Sequence, residues 1–331
     1  MPSRLSLFTR STYLLLAVLF ASTWGCGGRS VTGRNDNINT NDLDGSVPDA
    51  APTDGGPQPD AFIDAGGTSF GYVNMVHVVD SRNYGVEYLT LSAKLYVTQF
   101  NPPISTWPGF VESRITPNGV MCDILYSSGM EDPPDEPLEP PEALDGGPIW
   151  LVDANSSSSP DKLMVEFADG GYTSDHRSAG NPQGSLPEWL NHGPMSFLFE
   201  ADGNEHLAAF DFTLNTSEIP EITIPGPDGG PIPPDLNGNF HVAWSAPGEN
   251  ETLVVFNFNL DWDNSSFICH PGEGTEDLEI PMDWINDFTW GSGSMVVISQ
   301  SQETLEEWPH SVVQFTGRRA VETRVQFETM W

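Results

Sequence analysis

The side chains most often used for acid–base or nucleophilic catalysis are scattered along this chain. No two of its seven histidines are closer than fourteen positions: they are His77, His176, His192, His206, His241, His270 and His310. The chain has no His-Glu-x-x-His helix motif and no Gly-rich phosphate loop before a lysine, which are local arrangements that metal-assisted hydrolysis and phosphoryl transfer need. Asp175 and His176 stand beside Ser174 and Ser178 in a Gly/Ser-rich segment, which we interpret as a hydrogen-bonded turn rather than a catalytic triad. The sequence therefore predicts no catalytic residue and a protein that is not an enzyme, with a hydrolase site assembled from distant residues as the alternative.

Carboxylates are abundant, and hard oxygen ligands of this kind bind calcium in irregular loops. The segment Asp261-Trp262-Asp263-Asn264 begins like a calcium-binding loop. Ser266 then stands where such a loop has glycine, and Gly272 where it has the bidentate glutamate. The sequence therefore predicts no metal site and no cofactor, and it leaves structural calcium in the acidic loops between strands as an open alternative.

Tryptophans offer a different chemistry, because an exposed aromatic ring stacks on the apolar face of a sugar. Five of them are predicted near strand ends or in loops: Trp107, Trp150, Trp262, Trp290 and Trp308. A tryptophan more often fills a β-sheet core or edge. Glycan binding is therefore an alternative function and not the favoured one.

The charge of the chain limits its partners. Its 331 residues include 47 Asp and Glu against 12 Lys and Arg, and the formal net charge is -35. Binding to nucleic acids requires clustered basic side chains, and so does docking on anionic membrane surfaces. Both partner classes are excluded on this basis. Hydrophobic residues nevertheless make up 38% of the chain and aromatic residues 11%, which is enough for a packed core.

The N-terminus predicts export and lipid attachment. Arg4 and Arg10 precede an uncharged run at 11–25 whose apolar core is too short to span a bilayer, as in a secretory signal peptide. Gly25 and Cys26 follow as a small residue and a cysteine, similar to a bacterial lipobox. Residues 1–25 are therefore predicted to be a lipoprotein signal peptide, and Cys26 is predicted to carry acyl chains such as palmitate that insert into the lipid bilayer. Gly27 stands where an acidic residue would signal inner-membrane retention, so the predicted location is the outer membrane, with the face of the envelope left open.

Residues 26–67 are predicted to form a lipid anchor followed by a disordered tether. This segment is rich in Gly, Pro and Asp and has few large apolar side chains. Such a composition buries too little apolar surface to offset the entropy lost on ordering.

From residue 68 onward, apolar and polar residues alternate with a period of two. The alternation is clearest at 89–97, 208–214, 254–260 and 321–327, and it is typical of half-buried antiparallel strands. Many short strands separated by Gly, Pro, Asn and Asp turns predict an all-β fold of two Ig-like β-sandwich domains. The proline-rich segment 220–234 predicts the boundary, which gives domains at 68–220 and 221–331. The acidic, proline-rich loop 127–147 is expected to be exposed, and short helical turns are predicted at 185–190 and 279–285.

Two further cysteines remain if Cys26 is acylated. Cys122 and Cys269 each lie in an apolar strand pattern and belong to different predicted domains. A bridge between them would have to cross the domain interface. We therefore predict two buried free thiols, which behave as small hydrophobic side chains.

Several motifs together carry a resemblance to a known group of proteins. They are Trp24-Gly25-Cys26-Gly27-Gly28, Asp145-Gly146-Gly147-Pro148-Ile149, Gly170-Gly171-Tyr172, and Phe240-His241-Val242-Ala243-Trp244 leading through Cys269 to Ile280-Pro281. In these features the chain resembles a large class of uncharacterised envelope lipoproteins from myxobacteria and related deltaproteobacteria, with an Asp/Pro/Gly tether and two β-rich modules. The resemblance implies envelope attachment and no known activity. The predicted function is that of a lipid-anchored cell-envelope protein whose β-sandwich modules make non-catalytic contact with an unidentified envelope or extracellular partner.

Overall fold

The structure is a computed structural model, and most of the chain beyond residue 68 is described. The described residues are 69–81, 85–96, 110–126, 143–155, 162–179, 184–203, 209–245, 250–259, 264–272, 274–286, 292–308 and 311–328. The predicted signal peptide, Cys26 and the predicted tether at 26–67 lie outside them. Among the described residues, no helix is both long and apolar enough to cross a membrane.

The all-β fold class is confirmed. The strands in the first part of the chain are β1 (Ser69–Asp80), β2 (Val86–Tyr96), β3 (Phe110–Ile115), β4 (Met121–Tyr126), β5 (Ile149–Asp153), β6 (Leu163–Val165), β7 (Phe167–Ala168), β8 (Gly171–Arg177), β9 (Met195–Ala201) and β10 (Phe210–Thr216). Those that follow are β11 (Ile222–Ile224), β12 (Gly230–Ile232), β13 (Asn239–Trp244), β14 (Glu251–Asn259), β15 (Asn264–His270), β16 (Asp277–Pro281), β17 (Ser292–Trp308) and β18 (Ser311–Phe327), with a short helix at Met282–Asn286 after β16.

One large sheet dominates the part of the chain that the structure describes. Its strand order is β3-β4-β15-β14-β17-β18-β1-β2-β8-β7, and β12 pairs with β18 as an eleventh strand. The hairpin of β17 and β18, with 17 residues in each strand, forms its centre. β1 runs parallel to β18 from Ser69, opposite Ser311, to Asp80, opposite Glu322. The first and last described strands of the chain are therefore neighbours.

Two smaller sheets pack on one face of the large sheet and enclose two hydrophobic cores. The sheet β10-β9-β5-β6 covers what we call the first core, where Phe199, Phe210 and Phe212 surround Phe315 of β18 at ring-centroid distances of 5.3, 5.7 and 4.2 Å. The sheet β11-β13-β16 covers the second core. Here Phe327, further along β18, lies 4.9 Å from Phe240 between ring centroids.

Strand pairing crosses the boundary that the sequence predicts between residues 220 and 221. β1 pairs with the central strand β18 and β2 pairs with β1. β4 pairs with β15 and contributes Cys122 and Ile124 to the second core. The proline-rich segment 220–234 holds β11 and β12. The two cores therefore share one sheet, and each contains residues from both sides of the predicted boundary.

The prediction of two free thiols is wrong, because Cys122 and Cys269 form a disulfide. Both side chains are buried, as expected, with exposed fractions of 0% and 1%. They face each other directly in the β4–β15 pair. The expectation failed because it placed the two cysteines in separate domains, whereas the sheet brings their strands together.

The two predicted helical turns have different outcomes. At 279–285 the chain continues as β16 as far as Pro281 and then forms the helix Met282–Asn286, which buries Trp284 and Ile285. At 185–190 there is no helix: Ser185 bridges to Arg177, and a turn is closed by the Leu190 amide donating to the Pro187 carbonyl at 3.1 Å. Of the predicted exposed loop 127–147, residues 127–142 lie outside the described residues.

Candidate functional site

The structure separates the Asp175 and His176 pair that the sequence brings together. Both residues lie in β8 and not in a loop, so their side chains point to opposite faces of the sheet. The Asp175 carboxylate accepts from Arg177, with Nη2 2.6 Å from Oδ2. His176 Nδ1 lies 3.2 Å from the Ser185 carbonyl oxygen. Each side chain therefore has a local structural partner instead of the other.

Four charged or titratable side chains meet at a place that the sequence did not indicate. His77 of β1 stands opposite Arg319 of β18 in the parallel ladder, and Glu87 comes from the neighbouring β2. His77 Nε2 is 2.5 Å from Glu87 Oε1, and His192 Nε2 of the segment between β8 and β9 is 3.3 Å from the same oxygen. Arg319 Nη2 is 3.3 Å from His77 Nδ1.

Arg319 also binds two backbone segments to the sheet. Its guanidinium donates to the carbonyl oxygens of Asn191 and Gly193, and to that of Ser217 at 3.2 Å. The side chain of Arg319 is fully buried. Burying a cation is costly unless its donors are satisfied. The three carbonyls and His77 satisfy Nη1 and Nη2, while Nε is buried without a partner among the described residues.

A row of small polar side chains continues from this cluster. Ser217 Oγ and Ser299 Oγ are 2.5 Å apart, and Asn250 Nδ2 donates to Ser217 Oγ at 3.0 Å and to Ser301 Oγ at 2.8 Å. Ser299 stands opposite Arg319 in the β17–β18 pair. We call the two groups together the polar layer: His77, Glu87, His192, Arg319, Ser217, Asn250, Ser299 and Ser301.

Burial sets the protonation states in the polar layer. Desolvation lowers the pKa of His77 below its usual 6.5, although its hydrogen bond to Glu87 opposes this. The hydrogen bond from His77 lowers the pKa of Glu87. A neutral His77 that carries its proton on Nε2 satisfies both contacts, because it donates to the Glu87 carboxylate and accepts from Arg319 at Nδ1. Desolvation also lowers the pKa of Arg319 to about 10, so the guanidinium remains charged at neutral pH.

His77 has the residue type of a catalytic base but not the access, whereas His192, the other histidine of the polar layer, is 61% exposed. His77 is 0% exposed, and its two ring nitrogens face Glu87 and Arg319. A general base must come within hydrogen-bond reach of the proton that it removes from a substrate. In this conformation His77 reaches only other side chains of the protein, so its visible role is to pair buried charges. The available sequence signal was a histidine and an arginine on the core-facing positions of apolar strands.

A second cluster of polar groups lies open to solvent on the sheet that covers the first core. Trp150 of β5, Glu200 of β9 and Asp211 of β10 occupy directly opposed positions on three adjacent strands. They line a groove of about 500 Å³, which we call the Trp150 groove, and its other lining residues are Lys162, Ala201, Asp202, Ala209 and Phe210. Within it, the Lys162 ammonium donates to Glu200 Oε2. The groove therefore combines an aromatic ring with three carboxylates and one ammonium group.

The remaining predicted site residues fall largely outside the described part of the chain. Asp261, Trp262 and Asp263 of the calcium-like segment are not among the described residues, nor are Trp107 and Trp290, and the side chain of Trp308 is likewise outside them. In the described ranges, no three His, Cys, Asp or Glu side chains converge as metal ligands. Trp150 is thus the one residue of the predicted tryptophan set whose surroundings the structure describes.

The chain matches no protein-family model and no curated protein.

Proposed function

We propose that the protein is a lipid-anchored binding protein of the bacterial outer membrane. Its β-structured part makes non-catalytic contact with a partner. The attachment rests on the sequence at 1–26, where a signal-peptide pattern ends at Gly25 and Cys26. Several acyl chains at Cys26 would make release from the bilayer negligible, since each buried CH₂ contributes about 0.8 kcal/mol.

The observation that carries the binding function is the contrast between the two polar clusters. The histidine and carboxylate that resemble a catalytic pair lie within the polar layer, where His77 is 0% exposed. The Trp150 groove instead presents side chains to solvent without a histidine, serine or cysteine among its lining residues. A concave site with an aromatic wall and a few polar groups is typical of ligand recognition.

Acylation is tested by growing an expressing bacterium with a radioactive fatty acid and fractionating its membranes. The wild-type protein is expected to be labelled and to sediment with the outer membrane, and Cys26→Ser is expected to be unlabelled and released. An unlabelled wild-type protein, or a Cys26→Ser protein that stays labelled and membrane-bound, contradicts the anchor.

Contact with a partner is tested in intact cells with a photo-cross-linking amino acid in place of Thr213. Thr213 is exposed on β10, two residues from Asp211 and on the same face. The matched control carries the cross-linker in place of Leu236, which is fully exposed in the turn between β12 and β13. An adduct at position 213 and not at 236 is expected, and equal labelling at both positions or at neither would argue against a partner bound at this sheet.

A further inference from the structure

We propose that the Trp150 groove binds a saccharide. This inference rests on the proposed binding function and names the class of ligand. A sugar ring has an apolar C–H face and a rim of hydroxyl groups that both donate and accept hydrogen bonds. A site for it therefore needs an aromatic surface beside acceptors and donors, and the lining residues of the groove supply all three.

The aromatic surface is Trp150, which is partly exposed on the outer face of β5. Its neighbours in the strand, Ile149 and Leu151, point inward into the first core, so the backbone that carries the ring is fixed by packing. With the backbone fixed, only the two side-chain torsions of Trp150 remain to be ordered on binding, so the ring contributes contact area at a low cost in conformational entropy.

The acceptors and the donor stand on the same surface. Glu200 is directly opposite Trp150, and Asp211 is directly opposite Glu200. With neighbouring strands about 4.8 Å apart, this row extends roughly 10 Å across three strands. Lys162 donates to Glu200, and an ammonium group has further protons with which to donate to a sugar oxygen.

The charges in the groove exclude one class of ligand and leave one rival. Three carboxylates against one ammonium oppose the binding of an anion. A cationic ligand would be attracted to the ring face and to the carboxylates that Lys162 does not neutralise, so a cation is the rival that the test includes. A neutral polyhydroxylated ligand uses the donors and acceptors without adding charge, and the volume of about 500 Å³ lies within the range of small-molecule sites.

The test is isothermal titration calorimetry on the full-length, detergent-extracted lipoprotein. The probes are maltohexaose, cellohexaose and the hexamer of N-acetylglucosamine, with spermidine as the cationic rival. We expect at least one hexasaccharide to bind, Trp150→Ala to weaken that binding at least tenfold, and Asp211→Asn to weaken it several-fold. Thr213→Ala changes an exposed residue of the same strand and face that does not line the groove, so it is the matched control and is expected to bind as the wild type does.

Each other outcome overturns the proposal. Binding of no hexasaccharide at millimolar concentration, binding that Trp150→Ala leaves unchanged, or binding of spermidine alone would each show that the groove is not a saccharide site. If Trp150→Ala does not fold by circular dichroism, Trp150→Phe and Asp211→Asn carry the test. The result is independent of fatty-acid labelling at Cys26 and of cross-linking at position 213, so failure here is distinguishable from failure of the proposed function.

Discussion

Breaking the disulfide between Cys122 and Cys269 is expected to cost a large part of the stability of the fold. The bridge joins β4 to β15 across 147 positions of sequence. Reduction releases a constraint on the unfolded chain, which then gains the entropy that the closed loop had denied it. The double variant Cys122→Ala with Cys269→Ala removes the bridge permanently.

The magnitude follows from the length of the loop. For a separation of 147, the chain-entropy relation gives about 17 cal/mol/K, or about 5 kcal/mol at 25 °C. A chain of this size shifts in melting temperature by about 2–4 °C per kcal/mol. The reduced protein is therefore expected to melt roughly 10–20 °C below the oxidised one.

Urea unfolding followed by tryptophan fluorescence, with and without a reducing agent, measures the difference. The double alanine variant is the control for the reducing agent. It has no disulfide to reduce, so the reductant should not change its free energy of unfolding. Peptide mapping of the non-reduced protein should find Cys122 and Cys269 joined. A loss of under ~1 kcal/mol on reduction, or alkylation of both thiols in the untreated protein, would refute the reasoning.

Two further predictions concern the interior. The free energy of unfolding should fall as the pH drops below 6.5, because the unfolded chain binds a proton at His77 that burial keeps out of the folded state, and it should fall again towards the lowered pKa of Glu87. The loss is at most about 1.4 kcal/mol per pH unit for each group. Urea titrations at several values between pH 8 and 4 measure how the free energy of unfolding depends on pH. This dependence should be shallower in His77→Gln than in the wild type or in His241→Gln, an exposed control in β13. An equal dependence in all three proteins would contradict the burial argument. In β17, Gly293→Ala should lower the free energy of unfolding by about 1–3 kcal/mol, because the added Cβ would stand 2.2 Å from the Asn257 carbonyl oxygen. Gly272→Ala is the control and should be near neutral, since its Cβ would meet nothing closer than 3.8 Å. Equal melting temperatures for the two variants would refute the prediction.

The strands themselves were predictable because alternation is a local signal. The pattern at 89–97 corresponds to β2 and the one at 254–260 to β14, each displaced by a few residues at its ends. Their partners were not predictable in the same way, since a period of two marks which face is buried and not which strand lies alongside. The pairing of β1 with β18 joins positions more than 200 residues apart, and nothing local in either strand specifies it.

The candidate sites differ in predictability for the same reason. Trp150 was singled out because one aromatic residue near a strand end is visible in the sequence. The residues that complete its groove, Glu200 and Asp211, are visible only once β5, β9 and β10 are known to be neighbours. His77, Glu87 and Arg319 escaped notice because catalytic and metal-binding motifs are recognised by short spacing, whereas these residues are assembled by a ladder between distant strands.

The polar layer also explains how one sheet carries two cores. Phe315, Gly317, Arg319 and Val321 are alternate residues of β18 and face the same side. Phe315 belongs to the first core and Val321 to the second, so Gly317 and Arg319 mark the place where one covering sheet gives way to the other.

Gly317 lets β10 approach the large sheet at this place, since a Cβ there would stand 2.9 Å from Leu214. Arg319 then binds the carbonyls at 191 and 193, before β9, and at 217, after β10. If an apolar side chain replaced Arg319, these three carbonyls at the end of the first covering sheet would lose their hydrogen bonds to the guanidinium. A charged residue in the middle of an apolar strand is therefore consistent with the fold. Arg319 supplies hydrogen bonds to the backbone that flanks β9 and β10, where the first core stops. It thereby fixes the first covering sheet to β18, which continues into the second core.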